Sequence, residues 1–107
     1  MQLDKILNSL SIPHKETIYR TPPKGTYLVW QDSVERYGSD QENAISHHSL
    51  VFELISTDKP DKTAESELIK TLDGVPLEWS CGAWLWIQTL KAYRKPFYFD
   101  YLEKEQL

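Results

Sequence analysis

An α+β fold, one antiparallel sheet with two helices packed on one face, is the architecture that this sequence predicts. Two stretches carry apolar residues at helical spacing: Leu3, Ile6, Leu7 and Leu10 near the start, and Ala64, Leu68, Ile69 and Leu72 past the middle. Between and after them lie short runs rich in β-branched and aromatic residues, with Leu50–Ile55 the clearest. At 107 residues, 40 % hydrophobic and 26 % charged, the chain has material for one core and not for two. Residues 1–107 are therefore expected to form a single domain.

The first helix should run for about ten residues and stop at Ile12-Pro13, because a residue before proline is pushed out of the helical region. So short a helix must dock on something to persist. His14–Arg20 leans towards β structure, and Pro22-Pro23-Lys24-Gly25 reads as a turn or rigid bend. Tyr27–Asp32 has the composition of a strand. Residues 32–46 combine turn formers (Ser33, Gly38, Asn43) with Val34–Tyr37, which has the makings of a short strand; the segment reads as a long hairpin arm or a loop. A loop of that length in a compact domain is usually functional or disordered.

In Leu50–Ile55, Leu50, Phe52 and Leu54 point one way and Val51, Glu53 and Ile55 the other, as in a central strand. Asp58-Lys59-Pro60-Asp61 reads as the start of the second helix, with a capping carboxylate, a proline in the first turn and a further acid at the positive end of the dipole. Gly74 sits where a C-cap glycine belongs. Pro76–Trp79 reads as a short strand, Trp84–Ile87 as strand or helix, and Thr89–Lys95 as a connection. Phe97–Leu102 closes the fold as an aromatic-rich strand, and Glu103–Leu107 reads as a tail.

The charge balance of −4 argues against a broad phosphate-binding surface. One cysteine, Cys81, offers no internal disulfide, and Met1–Asn8 has Asp4 and Asn8 where a leader would need unbroken apolar residues; a cytoplasmic, soluble protein is expected. His47 and His48 are adjacent, so on a strand they face opposite ways and cannot share a metal. Cys81 has no positioned histidine by spacing and reads as a buried or half-buried structural thiol. Lys24-Gly25-Thr26 has the wrong order for a phosphate loop. Glu65 and Glu67, two apart on a helix, read as a solvated face. No enzyme motif, metal site or cofactor is expected.

The aromatic load is higher than a small core requires, with four Trp, six Tyr and three Phe, concentrated after Trp79. Core or edge packing accounts for such residues; so does an assembly surface, since Trp and Tyr are favoured interface anchors.

The order of segments is more specific than any one of them. A short N-terminal helix, Ile12-Pro13 and Pro22-Pro23-Lys24-Gly25-Thr26-Tyr27-Leu28-Val29-Trp30 come first. The polar arm around Tyr37-Gly38-Ser39-Asp40, a strand into Ser56-Thr57-Asp58-Lys59, and an acidic helix ending near Leu72-Asp73 follow. Val75-Pro76-Leu77-Glu78, Trp86-Ile87 and Tyr98-Phe99-Asp100-Tyr101 complete the series. Over nearly the whole chain this resembles the tail terminator or tail-completion proteins (head–tail joining, minor tail) of long-tailed bacteriophages and prophages. Ser80–Trp84, with its cysteine and added tryptophan, departs from the family's pattern.

The resemblance implies a structural, non-enzymatic protein that forms a ring, expected to be hexameric. That ring would cap the tail tube, contact the tube and the head-completion proteins, and let DNA pass through without specific binding. Assembly in the host cytoplasm, then residence in the virion tail, is implied with it. Ring closure would be head-to-tail, with Trp84 and Trp86 on one side and Asp32, Arg36 and Tyr37 on the other; Tyr98 completes the candidate interface set. Two other readings fit the same residues: a small cytoplasmic interaction or sequestering module, and an enzyme using His47 or His48 with an acid.

Overall fold

The computed structural model describes residues 2–38 and 45–104. Within them lie α1 (Gln2–Asn8), β1 (His14–Glu16), β2 (Thr26–Tyr37), β3 (Ile45–Ser56), α2 (Lys62–Asp73), β4 (Trp79–Cys81), β5 (Leu85–Ile87) and β6 (Ala92–Lys104). The strands form one sheet in the order β1-β2-β3-β6-β4, with β5 also paired to β6. It is mixed rather than antiparallel, because β1 runs parallel to β2 while every other pair is antiparallel. A parallel neighbour requires a crossover, and residues 17–25 supply it. Two positive-φ residues bracket that crossover, Thr17 at 71° and Gly25 at 87°. Midway, Tyr19 docks edge-on against Tyr27 at 5.5 Å.

Strand alternation divides the apolar residues between the two faces of the sheet. Leu28, Leu50, Phe52, Leu54, Phe97, Phe99 and Tyr101 are buried in one cluster with Leu3, Ile6 and Leu7 of α1 and Ala64, Leu68 and Leu72 of α2. The opposite face holds a smaller cluster, Tyr27, Val29, Ile55 and Ala92, with Tyr19 packed on it.

Polar links hold the helices in place. Asp61, not Asp58, caps α2: its Oδ1 accepts from Ala64 N at 3.0 Å and its Oδ2 from the Thr26 hydroxyl at 2.6 Å. Pro60 therefore precedes the helix instead of entering it. These hydrogen bonds, Ala64 first and Thr26 second, hold the Asp61 carboxyl below its ordinary range. Glu67 accepts from Ser11 N at 2.7 Å, and Glu65 accepts from the Trp84 indole at 2.8 Å. The two glutamates are thus ties to other elements rather than a solvated face. Burial pushes the Glu65 carboxyl up, but the Trp84 N–H and the Lys95 and Lys62 ammonium groups outweigh it and leave it lowered.

Several sequence expectations are corrected along the chain. β2 and β3 each run for 12 residues, so of the two readings of 32–46, a long hairpin arm or a loop, residues 32–37 and 45–46 follow the hairpin arm; residues 39–44 lie outside the described ones. The third strand of the centre begins at Ala92, not Phe97, and takes in Glu103 and Lys104. A turn over 88–91 joins it to β5. The short strand expected at Pro76–Trp79 lies instead at Trp79–Cys81. Cys81 is exposed, because β4 is a short edge strand and the thiol lies at its end. Gly82 next to it touches Pro96: a Cβ there would lie 2.9 Å from the proline Cγ, so only glycine lets β4 approach β6 this closely.

Candidate functional site

β2, β3 and β6 are much longer than the strands flanking them. Twelve residues of strand span about 40 Å, and the molecule measures 50 × 28 × 22 Å. β1 covers the outer edge of β2 only at Leu28–Trp30, and β4 and β5 cover the outer edge of β6 only at Ala92–Arg94 and Phe97–Phe99. Beyond those points the three central strands continue as a blade: Gln31–Tyr37 with its outer edge bare, Ile45–Val51 between, and Asp100–Lys104 with its outer edge bare.

The blade has its own interior. Asp32, His48 and Tyr101 stand on the helix-side face, since Val34 pairs with His48 and His48 with Tyr101. His48 Nδ1 donates to Asp32 Oδ2 across 2.7 Å, the arrangement open to a nitrogen beside a carboxylate, which only accepts. The side chains of this pair are 9 % and 10 % exposed. The imidazole stacks on the Tyr101 ring at 4.6 Å and 6°. Burial, then the charges of Asp32, Glu103 and Asp4, push the Tyr101 phenol up to about 12. Ser46 is fully buried at the next level.

The other face of the blade is open and mixed. His47 Nε2 bonds Asp100 Oδ2 at 2.9 Å, and Arg94 pairs with Glu53 at 2.9 Å nearer the root, the part of the sheet that β1, β4 and β5 flank. Around these polar pairs lie exposed apolar residues: Leu102 at 68 %, Tyr37 at 50 % and Ile45 at 38 %, with Val34 at 50 % on the helix side. A groove of about 440 Å³ opens where β4 leaves β6, lined by Ser49, Glu78, Ser80, Tyr98 and Asp100 among others.

This fold has a counterpart in a particle. No protein-family model and no curated protein matches the sequence. Among solved structures, the chain is similar to one from the "Virion of native gene transfer agent (GTA) particle". The superposition has a TM-score of 0.64 at 16 % identity and covers 97 % of this chain and 90 % of that one. The likeness therefore extends over the whole fold, blade and root together.

The six residues singled out in the sequence take different positions. Asp32 turns its side chain inward to His48. Tyr37 is exposed near the end of β2, its hydroxyl donating to Glu35 at 2.6 Å, and Arg36 is exposed beside it. Trp84 packs half-buried against the main core, bonded to Glu65. Trp86, 47 % exposed, stands on β5 with its ring edge-on to Tyr93 at 5.2 Å. Tyr98 is exposed on the open face. Asp32, Arg36 and Tyr37 are thus together on β2, apart from Trp84 and Trp86 at the opposite, β5 side of the sheet.

The histidines do face opposite ways, and each has an acid within hydrogen-bond reach. His48 is enclosed beneath Tyr101, and His47 lies on an open surface. Among the described residues no three His, Cys, Asp or Glu side chains gather as metal ligands. Sequence reasoning missed the two His–Asp pairs. The signal for them was period-two alternation continuing past Trp30, which puts Asp32 and Val34 on the face of Leu28, and His48 on the face of Leu50.

Proposed function

We propose that this chain is a structural component of a phage-like particle, which caps the tail tube as a ring and joins the tail to the head-completion proteins. The observation that carries the reading is the full-length likeness to a chain of the gene transfer agent virion. The ordered run of segments from Ile12-Pro13 to Tyr98-Phe99-Asp100-Tyr101 supports it from the sequence side. A non-catalytic role suits a sheet whose open face carries ion pairs and exposed apolar side chains. The net charge of −4 suits a channel wall along which DNA slides, since adhesion to phosphates requires positive charge. Partners are then further copies of this chain, the tube below and the head-completion proteins above, with assembly in the host cytoplasm.

The test is deletion of the chain's gene followed by electron microscopy of the particles. Tails of uncontrolled length, together with tailless heads, are expected, and an antibody to the chain should label the head-proximal end of wild-type tails. Tails of normal length on intact particles without the chain would refute the reading. A deletion that leaves particles untouched, with the chain recovered on an unrelated cytoplasmic protein, would favour a sequestering module.

A further inference from the structure

The blade has two bare edges, and they begin at nearly the same height. On the β2 side, Thr17 N donates to Trp30 O at 2.7 Å, and the left-handed turn at Thr17 (φ 71°) then takes the chain off the sheet. A β-branched residue in that conformation is strained, so the departure of β1 is built in and is not fraying. On the β6 side, β4 stops at Trp79 opposite Phe99. Among the described residues no strand lies beside Gln31–Tyr37 or beside Asp100–Lys104.

The outward groups follow from alternation. Trp30 O accepts from Thr17, so Asp32 and Val34, two and four residues on, also turn their N–H and C=O outward. Gly82 N donates to Pro96 O at 2.9 Å, so on β6 the outward residues include Asp100 and Leu102. β2 and β6 both run antiparallel to β3 and hence parallel to each other. The pairings through β3 set Ser33 level with Asp100, Val34 with Tyr101 and Glu35 with Leu102.

We propose that the outer edge of β2 in one copy pairs, parallel and level, with the outer edge of β6 in the next, so that the blade continues from copy to copy as one sheet. This rests on the ring reading and supplies its joint. In that register Val34 N–H meets Asp100 O, and Leu102 N–H meets Val34 O, so the outward groups of both strands are satisfied together. The directly facing pairs set acids against neutral residues, Ser33 with Asp100 and Glu35 with Leu102, so no like charges stand opposite one another, and Asp100 and Glu35 meet only diagonally. Leu102 gains Tyr37 of the neighbouring copy as a diagonal contact.

A second copy is the occupant because this chain carries both halves of the joint, and one kind of contact then covers both edges of every copy. A two-fold β2-to-β2 pairing would cover one edge and leave the other bare, and bare edges invite indiscriminate pairing. Head-to-tail pairing that closes leaves none.

The test uses two sets of variants of the full chain, all in a Cys81→Ser background. Val34→Pro removes an outward N–H without touching the ladder to β3; it should raise the dissociation constant of the assembly at least tenfold, read by light scattering from micromolar to millimolar protein. The second set is Glu35→Cys and Leu102→Cys as separate proteins, mixed and oxidised. A disulfide-linked dimer is expected in the mixture and not in either protein alone. That bond formed by chains otherwise monomeric by mass also supports the joint, as a weak contact. A bond in Glu35→Cys alone would mean β2-to-β2 pairing and overturn the proposal. Rings unaffected by Val34→Pro and never cross-linked would overturn the joint while leaving the ring standing. A chain neither assembled nor cross-linked at any concentration would overturn both.

Discussion

β2 crosses two environments within 12 residues. At Tyr27–Val29 its side chains are buried on both faces, beneath the helices on one side and Tyr19 on the other. From Ser33 to Tyr37 the same strand, in the same ladder with β3, is exposed. The backbone pairing is alike in both regions, so the difference lies in the cover. On the helix-side face the root presents Leu28, Leu50, Phe52 and Phe97, while the blade presents Asp32, His48 and Ser46, which are also shielded from solvent.

The largest expected difference between the regions is in stability. Phe52 is fully buried and meets Phe99 edge-to-face at 5.0 Å. Phe52→Ala should cost about 3–5 kcal/mol, read by denaturant unfolding. In a domain of this size that approaches the whole stability margin. A loss under about 1 kcal/mol would mean that root and blade do not differ in packing as described.

In the blade, Asp32→Ala leaves the His48 ring nitrogen without its acceptor and should cost about 1–3 kcal/mol. Hydrogen exchange should locate the loosening at 32–37 and 45–49, with the root unchanged. Loosening that spreads evenly over β2 would mean that blade and root unfold as one unit.

Asp61 ties the root end of β2 to α2, and Asp61→Ala should cost about 1 kcal/mol. Because its folded pKa is lowered, its contribution is present in full above the ordinary value of 3.8 and is lost as pH falls through the folded value. The gap between wild type and variant should therefore be widest at neutral pH and close in acid. A gap that persists in strong acid would assign the effect to helix propensity and not to the carboxylate.

The same contrast explains what was legible in the sequence. The root was legible because apolar spacing reports burial directly: Leu3, Ile6 and Leu7, Ala64, Leu68 and Leu72, and the alternation in Leu50–Ile55 all lie where periodicity put them. The blade was legible only as one of two readings, a hairpin arm or a loop, because Ser33, Glu35 and Arg36 carry the polar and charged side chains that turns also favour, and a half-wet strand resembles a loop. The Asp61 cap was off by three residues because Asp58 and Asp61 are equivalent by type, and only the Thr26 hydroxyl chooses between them. The parallel β1 had no signal, since it depends on a left-handed threonine. Tyr37, Trp86 and Tyr98, chosen by residue type and position, are exposed; Leu102, more exposed still, drew no notice at the end of an aromatic-rich strand.

Leu102 gives the smallest effect on the isolated chain and separates the two regions most cleanly. It is 68 % exposed, so Leu102→Ser removes almost no burial, and unfolding free energy should stay within about 0.5 kcal/mol of wild type. β6 residues at the root behave oppositely: Phe97 is fully buried, and its truncation should act like that of Phe52. If exposed apolar residues on the blade serve contact between chains, Leu102→Ser should weaken self-association while the monomer melts as before. Weakened association together with an unchanged monomer would assign the blade to assembly. A stability loss comparable with that of Phe97→Ala would mean instead that Leu102 is covered within the chain and that the blade is core throughout.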